Sequence, residues 1–166
     1  FMTELSCKIS SRSQDYPIIE ISEGKNVVKL GDSNKTISEH IARFRDGHTF
    51  EPEGSAAVII VGGNWNYAVE FARTFPGVRL IIVEAIPAIF SDAIDIAMFT
   101  QYFRKDTIII GAHKDLPSWE ELLNEKLMDM KKADIKVSAF IPPHIAKIPV
   151  LEKNSDIVRR AVRKGN

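Results

Sequence analysis

One cysteine, Cys7, is all the 166-residue chain has, which excludes an internal disulfide framework and a zinc site built from clustered cysteines. Charge of one sign is not in excess either, since Lys and Arg number 22 and Asp and Glu number 22. Non-specific nucleic-acid binding draws on surplus positive charge, so no nucleic acid is expected as a partner. No apolar run approaches the roughly 18 residues that span a bilayer, so no membrane is expected as one. The first twenty residues are polar and interrupted, unlike a signal peptide. A cytoplasmic compartment fits these absences. No clustered acidic or histidine pattern has metal-ligand spacing, and no Ser/His/Asp or Cys/His set can be placed by spacing. No metal is therefore expected, and no catalytic residue is assigned. Phe1 ahead of Met2 reads as a tag remnant, with Met2 the expected natural start.

What is present is ordinary globular composition, 45% hydrophobic and 27% charged. At about 100–200 residues per domain, the length predicts one domain. Two zones differ within it. Residues 1–55 are polar and mixed, and are expected to be an N-terminal hairpin and helix of the same domain. Residues 56–166 alternate apolar runs with helical patterns and are expected to form its core.

In the first zone a loose, Ser-rich segment runs through Gln14. Tyr16 to Ile21 and Val27 to Leu30 read as strands around the turn-like Glu23-Gly24-Lys25. Thr36-Ile37-Ser38-Glu39 matches a capping box. It predicts a helix with Ile37, Ile41 and Phe44 on one face, ending near Gly47, and with His40 as a solvated surface histidine.

In the second zone Ala56 to Val61 is wholly apolar, as in a parallel strand buried on both faces. A helix is predicted over Tyr67 to Phe75, stopped by Pro76-Gly77. Val78 to Val83 reads as the second strand, with Glu84 at its end. Pro87 opens the next helix, whose apolar face runs from Ile86 to Met98. Thr107 to Gly111 reads as the third strand, and Ser118 to about Met130 as a helix with a second capping box. Lys136 to Phe140 reads as the fourth strand. Ile145 to Leu151 is expected to be extended, and Asp156 to Arg163 to be a closing helix capped by Ser155. Strands and helices alternating at this spacing predict an α/β fold. Its expected form is a Rossmann-like open, mostly parallel sheet of order 3-2-1-4, with helices on both faces.

In such a sheet ligands bind outside the carboxyl ends of the strands. The turn after the first strand reads Gly62-Gly63-Asn64-Trp65-Asn66, and Glu84 follows Gly62 by 22 residues. Glycine there allows close backbone approach, the helix start offers free N–H groups, and an acid about 20 residues on can hold a ribose. The second and third glycines of the dinucleotide fingerprint are absent, and Trp65 is bulky where a cofactor needs room. Gly62 and Gly63 also suit a plain tight turn, and Glu84 a solvated strand end. His113, in the loop Gly111 to Asp115 after the third strand, would line the same crevice. Gly62, Gly63, Asn64, Glu84 and His113 are the candidate cofactor-binding residues. If the crevice takes an adenosine, Glu84→Gln should weaken binding about tenfold with little loss of fold stability, since a charge-assisted bond contributes roughly 1.5–3 kcal/mol. Trp65, Phe99, Tyr102, Phe103 and Trp119 could supply an apolar patch for a protein partner or for self-association. The basic run Arg159 to Lys164 suits a helix C-terminus.

Three resemblances meet on these residues. Ile141-Pro142-Pro143-His144 resembles in part the Pro-Pro signature of amino-methyltransferases, with Ile141 where a polar residue is usual and His144 where an aromatic is. Val58 to Asn64 and Leu80 to Glu84 are similar to the first two strands of S-adenosylmethionine-dependent methyltransferases. That resemblance implies a small methyltransferase, with Gly62 and Gly63 at the methionine part of the cofactor and Glu84 on the ribose. Pro17 to Leu30, Thr36 to Phe44, Val58 to Phe75, Ile81-Ile82-Val83-Glu84-Ala85-Ile86-Pro87-Ala88-Ile89-Phe90 and Val137 to Pro149 together resemble the N-terminal domain of motility-associated-factor glycosyltransferases. Asn64 and Asn66 replace turn glycines typical of that family. The resemblance implies an accessory Rossmann-like domain, not catalytic by itself. Its ligand would be a small-molecule nucleotide, S-adenosylmethionine or another.

Overall fold

The structure, a computed structural model, describes residues 5–48, 50, 54–89, 101–112, 119–143 and 145–165. It holds two sheets. The first is antiparallel, of order β1-β2-β3, made by β1 (Leu5–Ser10), β2 (Ile18–Glu23) and β3 (Asn26–Leu30). The second is parallel, of order β6-β5-β4-β7, made by β4 (Ala56–Val61), β5 (Arg79–Glu84), β6 (Ile108–Gly111) and β7 (Lys136–Phe140). Numbered within the second zone, that order is the expected 3-2-1-4, consistent with a Rossmann-like core. Among the described residues the sheets are accompanied by the helices α1 (Asn34–Asp46), α2 (Asn66–Thr74), α3 (Trp119–Lys132) and α4 (Pro149–Gly165). Residues 87–89 are helical from Pro87 onward. The rest of that predicted helix lies outside the described residues, as do Ser118 and the 113–115 loop.

All six residues of β4 are buried, so both faces of the parallel sheet are covered at its centre. Ile59, Ile60, Ile81 and Ile82 are at most 1% exposed, and each such side chain contributes about 1.5–3 kcal/mol of burial. An aromatic cluster ties the first zone to the second. The Phe44 ring of α1 meets Phe71 of α2 and Phe140 of β7 edge-on, with centroids 5.7 and 5.1 Å away.

Three expectations change. The Ser-rich N-terminus is a strand: Leu5, Cys7 and Ile9 alternate with more exposed Ser6 and Lys8, and β1 pairs with β2 from Leu5↔Glu23 to Ser10↔Ile18. The hairpin is therefore two strands of a three-stranded sheet. Helix α1 starts before Thr36, because Ser33 is its cap and accepts the Thr36 N–H at 3.2 Å. The closing helix starts at Pro149, and the segment from Ile145 to Lys147 is a 3-10 turn instead of extended chain. Proline is favoured at a first helical position, where its missing N–H leaves nothing unpaired. Ser155 lies inside the helix as a buried residue, and its hydroxyl donates back to the Glu152 carbonyl at 2.7 Å.

Candidate functional site

The turn between β4 and α2 is bound from inside. Gly62 N–H donates to the Val83 carbonyl at 2.7 Å, and Gly63 N–H to Glu84 Oε1 at 2.9 Å. Asn66 N–H donates to the Asn64 side-chain oxygen at 3.2 Å, and Tyr67 N–H to the Asn64 carbonyl at 3.2 Å. These are N–H groups that a nucleotide-binding turn would aim at a ligand. Asn64, 4% exposed, thus takes up two N–H groups at the helix start that a phosphate would otherwise engage.

Glu84 is fully buried at the end of β5. The indole N–H of Trp65, itself 1% exposed, donates to Oε1 at 2.6 Å, and Ile86 N–H donates to Oε2 at 3.0 Å. Burial pushes the Glu84 carboxyl above the usual carboxylate range. The N–H donors of Ile86, Gly63, Trp65 and Ala85 hold it back.

The two glycines owe their identity to this packing. A Cβ on Gly62 would stand 2.6 Å from Glu84 Oε1. Gly63 has φ +100°, and its Cβ would stand 2.7 Å from Leu151 Cδ1 of α4. Leu30, Asn64, Pro142, Ile145, Ile148 and Leu151 border a recess here that has no room for a water molecule. Gly62, Gly63, Asn64 and Glu84 are thus brought together as expected. The neighbours they meet are Trp65, Leu151 and the backbone. Glu84 is not a solvated strand end. His113 and His144 lie outside the described residues.

A second group of polar residues escaped the sequence reading. Tyr67, fully buried in the first turn of α2, donates its hydroxyl proton to Asp32 Oδ2 at 2.9 Å. His40 Nδ1 lies 2.7 Å from the Tyr67 hydroxyl oxygen, so with the phenolic proton spent on Asp32 it is His40 that donates. His40 is thus half-buried and stacked on Tyr67, not a solvated histidine. Burial and the Asp32 carboxylate raise the Tyr67 phenol far above its ordinary value. Arg12 holds the loop that presents Asp32, donating to the carbonyls of Tyr16, Gly31 and Asp32 at 2.8–3.0 Å. The available signal was the tyrosine itself, because a phenol inside an apolar helix face needs a partner.

The proposed apolar patch is only partly at the surface. Trp65 is buried, with Phe103 over it at 6.3 Å between ring centroids, and Trp119 is half-buried. Tyr102 is exposed, and Phe99 lies outside the described residues. Among the described residues there is no group of His, Cys, Asp and Glu able to hold a metal, and no helix long and apolar enough to cross a membrane.

Compared with family models, with curated proteins and with solved structures, the chain gives no significant match.

Proposed function

We propose that the chain is an accessory Rossmann-like α/β domain of the kind found at the N-terminus of motility-associated-factor glycosyltransferases, cytoplasmic and without catalysis of its own. The observation that carries the reading is the state of Glu84. In a nucleotide-binding sheet this carboxylate is free for ribose hydroxyls. Here it is buried, and both oxygens accept from the chain itself, one of them from the indole of Trp65. The strand-end turn has thus become a structural joint between β4, β5 and α4. An adenosine would enter only after Trp65 had left Glu84.

The alternative, a small S-adenosylmethionine-dependent methyltransferase, requires that opening in the resting protein. A thermal-shift series with S-adenosylhomocysteine, ATP and sugar nucleotides separates the two readings. Millimolar ligand is expected to leave the melting temperature unchanged. A ligand present at 100 times its dissociation constant would add about 2.7 kcal/mol. A rise of that size with S-adenosylhomocysteine would replace the accessory reading with the methyltransferase one.

A further inference from the structure

The C-terminal basic run, explained above only as a favourable helix end, borders a cleft on the far side of the parallel sheet. One part of the cleft, about 320 Å³, is floored by Leu127, Ile135, Val137 and Val162 and rimmed by Lys131, Lys136 and the acidic Asp134. A second part, about 330 Å³, shares Val162 and adds Ala139, Arg159 and Arg163. The two parts follow β7 from Lys136 to Ala139, about 10 Å at the rise of a strand.

The charge around the cleft is one-sided although the chain is neutral. The cleft's lining carries the cations Lys131, Lys136, Arg159 and Arg163, all exposed. Against these four stand Asp134 in the same lining and Asp156, which pairs with Arg159 at 3.2 Å. Two helix C-termini add about half a negative charge each. About one positive charge remains, carried on a lining with four cations to one acid.

We infer that this cleft docks a short acidic segment of a partner protein, with carboxylates on the Lys/Arg rim and an aliphatic side chain over Val162. The chemistry selects this occupant. Arg159 and Arg163 on one side of an apolar floor and Lys131 and Lys136 on the other suit carboxylates flanking an apolar anchor. No aromatic ring lines either part, so there is no platform for stacked bases. The inference is independent of whether the strand-end turn binds a nucleotide.

The test is fluorescence anisotropy at low salt with the whole chain and four probes. These are a labelled twelve-residue peptide alternating Glu and Leu, poly-L-glutamate of equal length, a twelve-nucleotide oligothymidylate, and phosphatidylserine vesicles. The Glu–Leu peptide is expected to bind at least tenfold tighter than each of the others, and to weaken with added salt. Arg159→Glu with Arg163→Glu should weaken it at least tenfold while circular dichroism stays unchanged, since both side chains are exposed. Val162→Asp should do the same. If that variant does not fold, Val162→Thr, which keeps the shape, should weaken binding about threefold. Equal binding by the charge-reversed protein, no binding by the parent, or tighter binding of the oligonucleotide or the vesicles overturns the inference.

Discussion

Glu84 joins three chain segments through one carboxylate, so its replacement acts on the fold before it acts on any ligand. Glu84→Gln puts an amide NH2 against N–H donors that now meet an oxygen. One buried donor loses its partner, at about 1–3 kcal/mol. A lower urea midpoint is expected, and an unchanged midpoint would return Glu84 to the role of a free ligand group. The pH dependence has a definite sign. Because burial raises the folded-state value above the unfolded one, near 4.3 for glutamate, the folded protein holds the proton longer. Parent stability relative to Glu84→Gln is greatest below that value and declines as pH rises through the folded-state one. Urea midpoints of both proteins across this range check the sign. Gly63→Ala is expected to cost about 1–3 kcal/mol, because φ +100° and the Leu151 contact both oppose a Cβ. Melting temperatures of that variant and of Leu151→Ala with Gly63→Ala would separate backbone strain from the clash.

Caps decide where the helices start, and two serines make opposite predictions. Ser33→Ala removes the acceptor for Thr36 N–H and should cost about 0.5–2 kcal/mol. Ser155→Ala removes only a back-bond to Glu152 and should stay within a few tenths of parent stability, which a denaturation curve measures directly. Both serines precede a helical pattern, so spacing alone could not say which one caps. The same limit explains what the sequence made legible. The four parallel strands were readable because continuous apolar runs such as Ala56 to Val61 have few other uses. Strand β1 was passed over although Leu5, Cys7 and Ile9 alternate with Ser and Lys, because six short residues rich in serine also read as loop. At the turn, spacing correctly gathered Gly62, Gly63, Asn64 and Glu84. It could not show that Trp65 supplies the hydrogen bond expected from a ribose, since side-chain direction is a tertiary property.

The antiparallel N-terminal sheet and the parallel sheet are joined by polar bonds from buried tyrosines as much as by apolar contact. Tyr16, 5% exposed, donates to Glu70 of α2 at 2.5 Å and accepts from Arg73 at 2.9 Å. Tyr67 links α2 to Asp32 and His40. Asn66 adds a bond to the Pro17 carbonyl at 2.9 Å. With so many ties, residues 1–55 and 56–166 are expected to unfold in one transition, seen at the same urea concentration by tryptophan fluorescence and by far-ultraviolet dichroism. Alkali supplies a sharper test of the joint. Burial, with the Glu70 hydrogen bond next, pushes the Tyr16 phenol up to about 12, and Tyr67 is raised further. An unfolded tyrosine ionises near 10. Both groups therefore contribute stability that is whole below pH of about 10 and is lost as pH rises toward 12. Phenolate absorbance from these two residues should appear together with the loss of helical dichroism, not before it. Tyr67→Phe removes one of the two groups but leaves Asp32 and His40 without their shared partner. It should lower stability at neutral pH by about 1–3 kcal/mol and make the decline between pH 10 and 12 shallower. Phenolate forming in a protein whose dichroism is intact would mean that the tyrosines face water and that the two sheets are held by apolar packing alone.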